Sequence, residues 1–214
     1  MEHVLTGFDN LTKPIQNGTE LLDFLSTYFA PAGQEVIPVD PSSLYANATF
    51  LDGLSSAVNR EFTDIVIQLW PNLTREINEV AICAECESSF IPVKRPFVIA
   101  GGRFREPYYW DSYWILHGLL RSAGSFTDIA RNQIENFFDL VDEYGFVPNG
   151  ARKYYLNRAG PPLLAQMVRI YLEHTNDLTV LRRGIPMLKR EHTFFMSNRT
   201  VNVTVHNSTY TLNR

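Results

Sequence analysis

Between Gly101 and Trp114 the chain reads GGRFREPYYWDSYW, with two arginines, two carboxylates and six aromatic side chains in fourteen positions. Arginines and amides direct hydrogen bonds to hydroxyl groups, carboxylates accept from them, and aromatic faces cover the apolar face of a pyranose ring. A second set of the same types follows: Asn149, Arg152 and Arg158, flanked by Tyr154 and Tyr155. Gly101 and Gly102 permit close backbone approach or positive φ where a side chain would obstruct. Taken singly, Trp110 and Tyr113 are also suited to a core, Asp111 to a helix N-terminus, and each arginine to an internal ion pair. Taken together, the two sets read as the wall of a sugar-binding pocket.

Hydrolysis of a glycosidic bond needs two opposed carboxyl groups, about 5 Å apart for retention or roughly 6.5–9.5 Å for inversion. Glu106 and Asp111 are five residues apart. On one helix that spacing turns about 500°, so the side chains diverge by about 140° and do not converge on one bond. Glu135 and Asp139 share a helical face, but at the spacing usual for a solvated helix surface. Asp142 and Glu143 end the same helix. None of these makes a convincing acid and base.

Other chemistries have less support. Cys83 and Cys86 form a lone CAEC, which suits a small disulfide loop or two free thiols; a zinc site would need two more ligands. His3, His117, His174, His192 and His206 occur in no HxH or HExxH arrangement, so no metal or organic cofactor is assigned. The net charge of −4 carries no basic block, which argues against a nucleic-acid partner. No apolar run reaches the 18 or so residues of a membrane span. Seven Asn-x-Ser/Thr sequons, at Asn10, Asn17, Asn47, Asn72, Asn198, Asn202 and Asn207, exceed the roughly two expected by chance from fifteen asparagines. N-glycans and an extracellular or outer-surface location through the secretory pathway are therefore expected, with any signal peptide outside Met1–Arg214.

What must position these residues is mainly helical. With 45% hydrophobic and 20% charged residues, the 214-residue chain has the composition of a single globular domain or a piece of one. Residues 1–50 are mixed, with a short helix over Glu20–Phe29 and a proline-punctuated connector from Ala30 to Ser43. Leu51, Leu54, Val58, Phe62, Ile65 and Leu69 recur as one amphipathic stripe, stopped at Pro71. An irregular segment, about Cys83 to Phe104, leads into the opening motif. A helix is predicted over Tyr108–Ser122, then a turn at Ala123-Gly124. Ser125 caps a second helix that buries Ile129, Phe137, Phe138 and Val141 and ends at Gly145. The polar loop GFVPNGARKYYLNRAG follows. Pro161-Pro162 opens a third helix, with Leu164, Met167, Val168 and Tyr171 inward. Asn176-Asp177 starts a fourth, broken near Gly184 and restarted at Pro186. After Ser197 the period becomes two, and Val201, Val203, Val205, Tyr210 and Leu212 form a hairpin turning at His206-Asn207-Ser208. Successive helix pairs joined by functional loops suggest part of an α/α toroid.

The segment PFVIAGGRFREPYYWDSYW resembles the first signature of the trehalases, inverting glycoside hydrolases that split α,α-trehalose into two glucoses. GFVPNGARKYYLNRAGPP resembles the second block of that family, and the hairpin ending in TYTLNR its next region. The likeness runs well from Pro96 to Arg214; before that, APAGQEVIPVDP is its best piece. It implies an all-α (α/α)6 barrel, of which residues 1–214 form a single partial domain with barrel helices and substrate loops over 51–214. It also implies that Arg103, Trp110, Asp111, Asn149 and Arg158 contact trehalose.

Two departures follow from the same resemblance. Where the family reads RSQPP, this chain has Arg158-Ala159-Gly160-Pro161-Pro162, losing a glutamine that helps bind substrate. The family's general acid lies in a segment like SGWDFSSRW and its general base follows a block like QWDxPxGWxP; neither occurs before Arg214, nor does the early DSKTFVD. The expectation is a portion of a longer trehalase with no catalytic carboxylate of its own and little activity alone. A non-catalytic sugar-binding or interaction fragment, or an incomplete gene product, is the alternative.

Overall fold

The stripe of Val58, Phe62, Ile65 and Leu69 predicts a buried helix face, and the computed structural model places it otherwise. It describes residues 2–11, 18–81 and 87–213. A 3-10 turn, Thr49–Gly53, precedes helix α3, Ala57–Ile67, whose N-cap Ser56 accepts from the amide of Asn59 at 3.3 Å. Val58, Phe62, Ile65 and Leu69 all stay exposed, and Ile67 is the residue this helix buries. Upstream lie helices α1, Glu2–Asp9, and α2, Gly18–Tyr28, which meet through Phe8 and Phe24. The first of these has no counterpart in the sequence reading. Asn17, Cys83 and Cys86 lie outside the described residues.

After the short helix α4, Trp70–Leu73, the chain enters a three-stranded antiparallel sheet that periodicity does not reveal: β1 (Val36–Pro38), β2 (Thr74–Ile77) and β3 (Phe97–Val98). Ile37 pairs with Glu76 and Arg75 with Phe97. Strands of two to four residues are too short for alternation to be read.

The core is built by four helices: α5 (Tyr109–Ser122), α6 (Phe126–Tyr144), α7 (Leu164–Thr175) and α8 (Leu178–Asn198). Helix α5 packs on α6 and α7, and α8 on the same two. Between them Tyr109, Leu116, Ile134, Phe137, Phe138, Leu164, Met167 and Val180 are buried, as the 3.6-residue period demands. Gly145 ends α6 in the left-handed region, φ 85°. Asn176 does the same for α7, and the Asp177 side chain caps α8 through the Thr179 amide at 2.9 Å. Ser125 begins α6 without capping it; its hydroxyl instead takes the Tyr45 amide at 2.8 Å.

Helix α8 runs unbroken through Pro186. Proline removes the amide that would bond back to Arg182. Packing supplies what that bond does not: Gly184 lets α8 lie against the Phe138 ring, where a Cβ would sit 2.7 Å from Cζ. Beyond α8, strands β4 (Thr200–Val205) and β5 (Ser208–Asn213) form the hairpin, with His206 and Asn207 both at positive φ in its turn. The molecule is mostly helical with two small antiparallel sheets.

Candidate functional site

The irregular segment before the glycines is held by polar side chains of α6. Buried Gln133 accepts from the Val98 amide at 3.1 Å and donates to Ser112 on α5. Asn136 clasps Arg95 in both directions, accepting from its amide at 3.1 Å and donating to its carbonyl at 2.9 Å. Chain held this way delivers Gly101 and Gly102, at φ 103° and 61°, into a turn closed by mutual bonds between Gly101 and Phe104. Arg103 stands exposed at the tip, its guanidinium carbon 5.1 Å from the centre of the Phe104 ring.

Helix α5 begins immediately afterwards. Trp110 is half exposed, edge-on to Trp114 at 6.5 Å, and Asp111 is half-buried in the helix's first turn. Between them and the glycine turn the other charged side chains are committed to structure. Arg105 donates to Ala32 and Gly102. Glu106 is buried, accepts from the Tyr108 hydroxyl at 2.8 Å and pairs with Arg152 at 3.5 Å.

Arg152 is likewise engaged by neighbouring side chains. It bonds Glu35 at 2.7 Å and Glu106, lies 5.1 Å above Phe90, and leaves its buried Nε without a hydrogen-bond partner. Burial works against its charge, but Glu35 and Glu106 outweigh that and hold its pKa above the ordinary value. Glu35 shows the reverse balance: burial favours its neutral form, and the Arg152 bond overrides it to lower the pKa. Burial, reinforced by Glu106, pushes the Tyr108 hydroxyl far up, so it remains a donor at any physiological pH.

The second loop is zipped to the first by main-chain bonds. Tyr109 N donates to Asn149 O at 3.0 Å and Ala151 N to Pro107 O at 3.1 Å, while Asn149 N to Arg158 O, at 3.0 Å, closes the second loop on itself. Gly150 is closely packed here: a Cβ would lie 3.0 Å from the Tyr108 ring and 3.1 Å from Tyr155, so both rings would have to shift to admit it. Asn149 and Arg158 thereby share a cavity of about 810 Å³ with Asn157, Gly160, Phe195 and Arg199. Arg103, Trp110 and Asp111 do not line this cavity; they belong to the neighbouring turn and helix start. Amide and guanidinium donors over one apolar face suit a polyhydroxylated ligand. No carboxyl group lines the cavity among the described residues.

Phe195 and Arg199 were invisible in the sequence as site residues, because a helix broken at Pro186 has no fixed phase at its far end. Their i, i+4 spacing is the one signal, and it needs the helix to be continuous. Glu135 and Asp139 also differ from a solvated face. Glu135 is buried, and both pair with Arg95 and Arg183.

A family model described as Trehalase matches residues 3–214. A trehalase of Dictyostelium discoideum is 47% identical over 190 residues, covering 88% of this chain and 32% of that protein. A trehalase of Homo sapiens is 38% identical over 216 residues, covering 100% of this chain and 37% of its own. Among solved structures, a neutral trehalase from Saccharomyces cerevisiae gives a TM-score of 0.45 at 32% identity, covering 49% of this chain and 20% of that one. The chain spans about a third of the length of the curated relatives it matches.

Proposed function

The chain belongs to the trehalase family, and from that premise we propose that it supplies the sugar-recognition part of an enzyme hydrolysing α,α-trehalose to two glucoses with inversion. The observation that supports this reading is the pair of main-chain bonds between residues 107–109 and 149–151, which ties the two family signatures to each other. Arg103, Trp110 and Asp111 contact the sugar from the first signature, Asn149 and Arg158 from the second. The four core helices are then successive members of an (α/α)6 barrel. The acid and base carboxyl groups belong to family motifs that residues 1–214 do not contain.

Calorimetry of the 214-residue chain with trehalose tests the binding part. Binding in about the millimolar range is expected, weakened at least tenfold by Arg158→Ala, with no glucose released. Wild-type protein that gives no heat, or an unaffected variant, overturns the assignment. Turnover by the chain alone would overturn the placement of the catalytic pair.

The same reading takes the protein through the secretory pathway. In support, Asn10, Asn47, Asn72, Asn198, Asn202 and Asn207 are all exposed, as glycan attachment demands. Expressed in eukaryotic cells behind a secretion signal, the chain should drop in mass on treatment with an N-glycosidase. An unchanged mass rejects glycosylation.

A further inference from the structure

Glu191 sits on α8, remote in sequence from both loops, and only 3% of it is exposed. Its carboxylate accepts a hydrogen bond from the Tyr109 hydroxyl at 2.8 Å, and the Val147 amide beside it favours its ionised form. The Tyr109 oxygen in turn accepts from the Leu164 amide at 2.7 Å, at the start of α7. Tyr109 immediately precedes Trp110 and Asp111, and its own amide holds Asn149. Val147 lies two residues before Asn149, and the Tyr109 ring passes 3.8 Å from the position a Cβ would take on Gly160. One buried carboxyl therefore joins the first turn of α5, the entry of the second loop and the N-terminus of α7.

We propose that Glu191 is a positioning residue of the sugar site, setting, through Tyr109 and Val147, the separation between the Trp110–Asp111 turn and the Asn149–Arg158 loop. This rests on the sugar-binding assignment for its ligand, but not for the linkage itself. Burial raises the Glu191 carboxyl to about 7, against the pull of the Tyr109 and Val147 bonds. Tyr109, from α5, is the ionisable group facing it; the loop and α7 bring the amides of Val147 and Leu164. On α8 itself, Arg190 is directed to Asp142 at 3.1 Å and His192 is exposed. Ionised, the carboxylate accepts the Tyr109 bond with charge assistance and attracts the Val147 amide; protonated, it becomes a weaker acceptor, and the loop entry loosens.

Two measurements on the 214-residue chain test this. In the first, amide resonances of Val147 and Leu164 are followed by NMR from pH 5.5 to 8.5. Both should titrate with a midpoint near 7 in the wild type and stay flat in Glu191→Gln, which keeps the shape and an acceptor. Amides that do not move, or that titrate equally in the variant, overturn the proposal. In the second, trehalose affinity is measured by calorimetry over the same range. The wild type should bind about tenfold more tightly at pH 8 than at pH 5.5, and Glu191→Gln should hold the weaker value throughout. A variant with the wild-type pH profile overturns the positioning role. Titrating amides in a wild type that never binds trehalose overturn the sugar assignment, and with it the role in binding, while leaving the linkage intact.

Discussion

At the scale of single residues, the difference at Ala159-Gly160 has a geometric answer. A Cβ on Gly160 would meet Asn149 Nδ2 at 3.7 Å and the Tyr109 ring at 3.8 Å, both ordinary contacts, and the backbone there is not left-handed. Space for a longer side chain exists, opening onto the Asn149–Arg158 cavity. Restoring the family pattern with Ala159→Ser and Gly160→Gln should therefore tighten trehalose binding by about 1 kcal/mol, some fivefold, in calorimetry, one amide hydrogen bond being regained. No gain would show that the glycine is neutral here. Glu191 carries a second consequence. Its folded-state pKa, about 7, lies above the ordinary 4.5, so between those values the folded chain holds a proton that the unfolded chain has released. Stability from this group is thus fully present below about pH 4.5 and is lost as pH rises towards 7, by about 3 kcal/mol in all. Ionisation strengthens the attraction to the Tyr109 hydroxyl and the Val147 amide while costing the fold as a whole, because removing the charge from water outweighs them. Urea unfolding at pH 5 and pH 7.5 should show the stability gap between wild type and Glu191→Gln shifting by about 2 kcal/mol; parallel curves would place the titration elsewhere.

At the scale of elements, the strongly periodic helices were legible and the punctuation between them less so. Ile129, Phe137, Phe138 and Val141 of α6, and Leu164, Met167, Val168 and Tyr171 of α7, are buried as their spacing requires. The hairpin follows its valine alternation and turns at His206-Asn207. Misreadings came where a single residue's local preference competes with packing. Pro186 disfavours helix, yet contacts along α8 on both sides keep it continuous. Ser125 is a good capping residue, yet the Tyr45 amide claims its hydroxyl. Arg152 has the chemistry of a sugar contact, and only three dimensions bring Glu35, 117 positions away, to occupy it. Gly145 tests the opposite case, where local conformation decides. Nothing lies within 4 Å of its absent Cβ, so Gly145→Ala should cost about 1 kcal/mol in chemical denaturation through positive φ alone. Gly145→Asn should recover most of it, and equal losses would point to contacts instead.

At the scale of the whole molecule, the mostly helical class could be read from the chain, whereas the three-stranded sheet and the orientation of α3 could not. An amphipathic stripe tells that one face differs from the other; it does not tell whether Val58, Phe62 and Ile65 meet a neighbour. The residues proposed for the site divide on the same principle. Arg103, Trp110, Asp111, Asn149 and Arg158 stand in dense local motifs, while Phe195 and Arg199 reach the cavity from the far end of a helix. The way the two loops are fastened has a consequence for change over time. Because residues 107–109 and 149–151 are joined through peptide groups, the join makes no demand on most side chains it passes. Lining positions such as 157, 159 and 160 can be exchanged while the frame stays in register. A ligand preference can drift, or be redesigned, by rewriting a few letters of the second loop, while Gly150 is confined between Tyr108 and Tyr155.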